Sequence, residues 1–313
     1  MVRIALIGQA AFGEAVLKAL REAGEEVVGV SAPLEARGGR DDPLKVAAAE
    51  VGLPLVDTRS LKTPEGIAHY AQLGADLSVM AFVTVIIPEE VLNRPRLGTI
   101  QYHPSLLPRH RGGSAINWAI INGETKTGLT IFWPDAGIDT GPILLQKEVA
   151  IDPDDTVGSL YFNQLFSLGV EATVEAVRLV REGKAPRIPQ DEAQATYEPL
   201  CREEQAHIDW QRPPRHVYNL IRGTNPQPGA WSLLRGQKLK IFDVAFRPSP
   251  VVGGPGEVVD VGEDGVAVAL EGASLLVKRV QPEGSSKTAA SEYAAQVALR
   301  PGERFEGQPS TGG

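Results

Sequence analysis

The sequence predicts an α/β protein in which a parallel sheet covered by helices is followed by a small β-barrel or sandwich. Three observations predict it. Over the first half, short apolar runs alternate with amphipathic helical patterns, as strands joined by crossover helices do. Beyond about residue 204 the pattern changes to short strands separated by glycine turns. Between them the proline-rich "APRIPQDEAQATYEP" has the composition of a linker.

Taken in order, "VRIALIG" reads as a buried strand and "FGEAVLKALREAG" as an amphipathic helix closed by Gly24. "EVVGVSA" is the second strand, and the polar loop "PLEARGGRDD" follows it. "PLKVAAAEVG" is helical, with proline tolerated in its first turn. "LPLVD" is a short strand, "TPEGIAHYAQLG" a helix and "ADLSVMAFV" another buried strand. "GTIQYHP" is a strand ended by Pro104, and "SAINWAIING" a helix stopped by Gly123. "TGLTIFWPD" and "PILLQKEVAI" are strands flanking the loop "AGIDTGP". One long helix then spans 155–183. The second part offers the strands "GAWSLL", "QKLKIFDVAF", "GEVVDVG", "GVAVALEG" and "SLLVKRV", and the tail "GERFEGQPSTGG" is expected to be disordered. The reading places two domains at 1–203 and 204–313, with no internal repeat.

Composition excludes several classes. The chain of 313 residues, 42% hydrophobic and 22% charged, has enough apolar material for a core without staples. Cys201 is the one cysteine, so no internal disulfide or cysteine-based zinc site is expected, which fits a reducing, cytoplasmic setting. "MVRIALIG" reaches glycine too soon for a signal peptide, and no later run has the apolar length of a membrane span. A net charge of -8 argues against a general nucleic-acid or anionic-membrane binder, though a local basic patch remains compatible with it.

The first strand-to-helix turn, "GQAAFG", stands where a dinucleotide fingerprint would. Gly8, Ala10 and Gly13 hold its three glycine positions, so the central glycine is lost. No acidic residue near Ser31 ends the second strand, and Glu14 stands where a phosphate-binding lysine would be needed. A tight turn is the plainer reading, and no NAD is expected.

In open α/β sheets, ligands bind beyond the carboxyl ends of the strands. Three segments converge there: "FVTVIIP", "QYHPSLLPRHRGG" and "AGIDTG". His103 and Asp139 come from the second and third, with one helix and one strand between them. A carboxylate beside a histidine fixes the imidazole's orientation and suits the pair to acid–base work. Each also has a plainer reading, His103 as a hydrogen-bonded strand end and Asp139 as a turn-forming side chain. A metal site from His103, His110 and Asp139 lacks a further strong ligand, so no metal is expected. Arg109 and Arg111 read either as a solvated face or as a clamp for an anionic group. No G-x-S-x-G elbow supports a serine hydrolase.

"HPSLLPRHRG", then "SAINW", then "GIDTG" resemble the enzymes that use 10-formyltetrahydrofolate as formyl donor. That family includes methionyl-tRNA, glycinamide ribonucleotide and sugar-amine formyltransferases. The similarity is greatest to the hydrolase domain of 10-formyltetrahydrofolate dehydrogenase and runs through "IGQAAFG", "IFW", "LLQKE", "APRIPQ", "TYE", "IRG" and "PGAW". The resemblance implies a Rossmann-like formyltransferase domain followed by an OB-like β-barrel. It makes His103 the catalytic histidine and Asp139 the essential aspartate. Val85, Ile86 and Ile87 would lie along the pterin pocket, and Ser105, Leu106, Leu107 and Pro108 would form the folate-side loop. The family's asparagine position is Gln101, which extends the amide by about 1.25 Å, the projection of one C–C bond.

The resemblance thus implies hydrolysis of 10-formyltetrahydrofolate to tetrahydrofolate and formate. Transfer of the formyl group to an amine is the alternative, and a catalytically weak folate-binding protein the second. Residues 206–313 are nearly balanced in charge, which does not favour tRNA as a partner. The aldehyde-dehydrogenase domain of the larger enzyme has no room in this sequence, so dehydrogenase activity is not expected.

Overall fold

A computed structural model of the protein describes residues 2–36 and 38–306. The described residues up to Gly113, with Thr127–Val149 and Phe162–Glu198, form one compact unit. Ser114–Lys126, Ala150–Tyr161 and the described residues from Pro199 onward form the second.

In chain order the first unit runs β1 (Arg3–Gly8), α1 (Ala10–Glu22), β2 (Glu26–Ala32), α2 (Pro43–Glu50) and β3 (Leu55–Asp57), then α3 (Pro64–Gln72), β4 (Leu77–Ala81), α4 (Glu89–Leu92) and β5 (Thr99–His103). The chain lends α5 (Ala115–Ile121) to the second unit and returns as β6 (Lys126–Phe132) and β7 (Ile143–Ala150). A short helix, α6 (Val157–Leu160), belongs to the second unit, and α7 (Phe166–Arg181) completes the first. The seven strands lie in the order β3-β2-β1-β4-β5-β6-β7. The first five are parallel, whereas β6 runs antiparallel to β5, with His103 opposite Thr130. The sheet is therefore mixed at one side, not parallel throughout.

The apolar runs are continuous because both faces are covered. Ile4 and Leu6 of β1 pack with Phe12, Val16 and Leu20 of α1 and with Ala176 and Val177 of α7. The alternating residues Ala5 and Ile7 turn to the other face, against Tyr70 of α3 and Val91 of α4. Asp42 caps α2 through the Leu44 amide, and Thr63 caps α3 through Gly66, each just before a proline that opens the helix. The Asp42 carboxylate also accepts from the Ala10 amide at 3.0 and 2.9 Å. It thereby engages the helix-start N–H that a nucleotide phosphate would use.

The expected long helix at 155–183 is broken by a π turn at Tyr161–Leu165, where the chain passes from the second unit into the first. In the second unit, α8 (Pro214–Gly223) packs beside α5, with Asn117 Nδ2 donating to the Gly223 carbonyl at 2.9 Å. Two antiparallel sheets follow. The strands are β8 (Ala230–Leu234), β9 (Gln237–Ile241), β10 (Val244–Arg247), β11 (Val258–Gly262), β12 (Gly265–Leu270), β13 (Ala273–Val277), β14 (Arg279–Pro282) and β15 (Thr288–Ala289). Helix α9 (Ala290–Gln296) and β16 (Phe305–Glu306) close the unit. The four-stranded sheet has the order β10-β13-β12-β11, and the five-stranded sheet β15-β14-β9-β8-β16.

Two expected strands thus divide between sheets. "QKLKIFDVAF" turns a corner at Phe242–Asp243, and "SLLVKRV" turns one at Lys278, so each half buries its apolar side in a different sheet. The tail is corrected in part as well. Phe305 and Glu306 pair with Leu234 and Leu233, because the Phe305 ring is buried against Trp210 with centroids 5.4 Å apart. Residues 307–313 lie outside the described residues.

Candidate functional site

His103 closes β5 at its carboxyl end, where the following Pro104 cannot extend the ladder. Gln101, two residues earlier, shares its face of the strand. The His103 ring is buried, and its Nε2 lies 2.8 Å from the His110 carbonyl. A carbonyl oxygen only accepts, so Nε2 carries the hydrogen and Nδ1 is the nitrogen turned to Asp139, 3.5 Å from Oδ2. Asp139 is buried too, and its Oδ2 accepts from the Gly112 amide at 2.8 Å. Its backbone has φ 56°, a left-handed conformation that costs a non-glycine residue about 1 kcal/mol, least for Asp and Asn. Gly141, two residues on, has no alternative, since a Cβ there would lie 1.8 Å from the Trp133 carbonyl.

The loop between His103 and Gly113 is tied down by its neighbours. Thr130 Oγ1 donates to the Ser105 carbonyl at 2.7 Å and accepts from the Leu107 amide at 3.1 Å. Gln146 Nε2 donates to the Leu107 carbonyl at 2.8 Å. Ser105 is fully buried, its hydroxyl donating to the Arg109 carbonyl at 2.6 Å, and Leu107 is buried as well. Leu106 and Pro108 are half-buried. Of the other predicted segment, Ile87 packs inward, Val85 is half-buried and Ile86 is 72% exposed. The structure therefore brings His103 and Asp139 together, sets Gln101 two residues earlier on the same face of β5, and leaves Val85–Ile87 as an irregular loop following β4. The half-buried Gln101 amide has no hydrogen-bond partner among the described residues.

Residues 185–199 correct the linker expectation. Ile188 bridges to Ile143 and Tyr197 to Arg111. The Arg187 guanidinium stacks on Trp133, 3.9 Å from its ring centroid. Thr196 Oγ1 accepts from the His110 amide at 2.8 Å, and His110 Nδ1 meets Glu198 Oε1 at 3.1 Å. His110 thus reaches His103 through its backbone, while its Nδ1 turns to Glu198. Arg111 is neither a solvated face nor an open clamp. Its side chain is 0% exposed, and Glu192 holds it through two hydrogen bonds of 2.9 and 2.6 Å. Gln190 Oε1 and the Tyr197 hydroxyl supply further acceptors. Those hydrogen bonds hold the Glu192 carboxyl below its ordinary range and Arg111 above its own. Composition hid this strap, since prolines and polar residues look like a linker. Its local signal is the order "APRIPQ" and "TYE".

A buried histidine–aspartate pair beyond a parallel sheet is found in many enzymes, and similarity to known proteins decides among them. Residues 2–177 match the model of the formyl transferase family, and residues 201–298 match that of the formyl transferase C-terminal domain. The chain belongs to the formyl transferase family.

Among its relatives in that family is the cytosolic 10-formyltetrahydrofolate dehydrogenase of Mus musculus, 44% identical over 93% of this chain but only 34% of that protein. The chain therefore spans about a third of that relative's length. The methionyl-tRNA formyltransferase of Geobacter metallireducens is 37% identical over 96% of this chain and 98% of its own. Among solved structures, HypX from Aquifex aeolicus in complex with tetrahydrofolic acid superposes with a TM-score of 0.69 at 21% identity, over 96% of this chain and 48% of that one. That last likeness establishes the fold alone. No described helix is long and apolar enough to cross a membrane.

Proposed function

We propose that this formyl transferase family member hydrolyses 10-formyltetrahydrofolate to tetrahydrofolate and formate. The observation that carries the reading is the buried His103–Asp139 pair, 3.5 Å apart, with His103 on a strand whose Gln101 amide has no hydrogen-bond partner among the described residues. Water attacks the formyl carbon, and its proton passes to Asp139, directly or through a second water. That leaves a tetrahedral oxyanion, and the proton moves from Asp139 to His103 Nδ1, the ring nitrogen that faces Oδ2, since Nε2–H is engaged by the His110 carbonyl. As the C–N10 bond breaks, Nδ1–H gives that proton to N10, and formic acid leaves, losing its remaining proton to solvent as formate. Gln101 donates to the oxyanion or holds the attacking water. Val85, Ile86 and Ile87 line the pterin, and Ser105–Pro108 give the folate side its shape. Catalysis belongs to a domain within 1–203, and the described residues from 204 on form an OB-like barrel in a cytoplasmic enzyme.

Transfer of the formyl group to an amine is the second reading, favoured by the full-length likeness to a methionyl-tRNA formyltransferase. Purified protein incubated with 10-formyltetrahydrofolate separates the two. Formate released without any amine supports hydrolysis, and turnover that requires an amine supports transfer. Tight folate binding with neither product would overturn both.

A further inference from the structure

We propose that Gln190 is a positioning residue for this reaction, holding Asp139 against His103 through the backbone of the 139–141 loop. The inference rests on the functional reading above and extends it to a segment that touches neither reacting group. The Gln190 amide is fully used. Nε2 donates to the Asp139 carbonyl at 2.8 Å and to the Gly141 carbonyl at 2.7 Å. Oε1 accepts from Arg111 Nη2 at 2.8 Å and Nε at 3.2 Å. The orientation of the amide is fixed by its partners. A flipped group would set its NH2 against a guanidinium and its oxygen against two carbonyls.

Arg111 in turn cannot follow a moving amide, because Glu192 and the Tyr197 hydroxyl also grip it. A buried cation thus orients an amide, and the amide clasps the carbonyls on both sides of Thr140. Asp139 is then held from two directions, its carbonyl by Gln190 and its carboxylate by the Gly112 amide. Without the first restraint the left-handed Asp139 backbone is free to relax, and Oδ2 leaves His103 Nδ1.

Gln190→Glu tests this directly. It keeps the volume and the acceptor for Arg111 but removes both donors to the loop. Gln190→Met removes all four contacts at similar size. Both variants should bind a non-reactive folate analogue within about twofold of the parent, which also reports that they are folded. Both should lose about 10- to 100-fold in kcat, the scale of a displacement near 1 Å. Long-range 1H–15N spectra should show the His103 Nδ1 resonance shifted in both variants. A parental kcat together with an unshifted His103 resonance in folded Gln190→Glu would overturn the proposal. If the parent itself fails to turn over 10-formyltetrahydrofolate, the functional reading falls. The ring resonance then decides alone, a shift supporting positioning and no shift overturning it.

Discussion

At the scale of single residues, the proposed hydrolysis divides between His103 and Asp139, and their hydrogen bonds say how. Because Nε2–H is bound to the His110 carbonyl, Nδ1 is the ring nitrogen left for the proposed chemistry, and Asp139 is the group facing it. Asp139→Asn keeps the shape and the Gly112 contact but removes the negative charge. It should cut kcat by on the order of 10²–10³ while folate affinity stays within about twofold, checked by steady-state rates beside equilibrium binding. Gln101 carries a different prediction. Its amide has no hydrogen-bond partner among the described residues, and an asparagine in its place would be about one methylene shorter. Gln101→Asn should therefore slow formate release several-fold and raise the share of turnover that goes to an added amine. The partition ratio at fixed amine concentration reads this out, and an unchanged ratio would remove Gln101 from the choice of acceptor.

Among the elements, β5 and the strap at 185–198 place these groups. The strand was legible as "GTIQYHP", because alternation and a terminal proline are local signals. The strap was not, because its order comes from partners far away in sequence, with Gln190 and Glu192 meeting Arg111 about 80 positions earlier. Glu192 gives the strap a pH dependence. Its carboxyl is held below the usual range, chiefly by the hydrogen bond from Arg111. A depressed carboxylate contributes stability that is present above the unfolded value, near 4.3, and lost as pH falls through the folded one. Hydrogen-exchange protection at amides 188–198, measured against the intrinsic rate at each pH, should therefore fall at acid pH before protection in β1 and β4 does. An equal loss of protection in all three would show that Glu192 is not the latch.

For the whole molecule, charge bears on the acceptor. A net charge of -8 and a balanced second part leave little to grip a polyanion. Turnover should change by less than about twofold between 50 and 200 mM salt, whereas binding that rests on phosphate contacts falls steeply over that range. A steep loss would favour the tRNA reading. The sequence by itself determined the α/β class and the end of β5 at Pro104, and it singled out His103 and Asp139, which the fold brings to 3.5 Å. These rest on periodicity and short motifs, which neighbouring residues encode. Only the tertiary structure decided that β6 runs antiparallel, that two apparent strands turn between sheets, and that Arg111 is buried. It also decided that a linker-like segment braces the Asp139 loop. Each of those depends on which distant group satisfies a buried hydrogen bond or covers an apolar face, and that is settled when the whole chain packs.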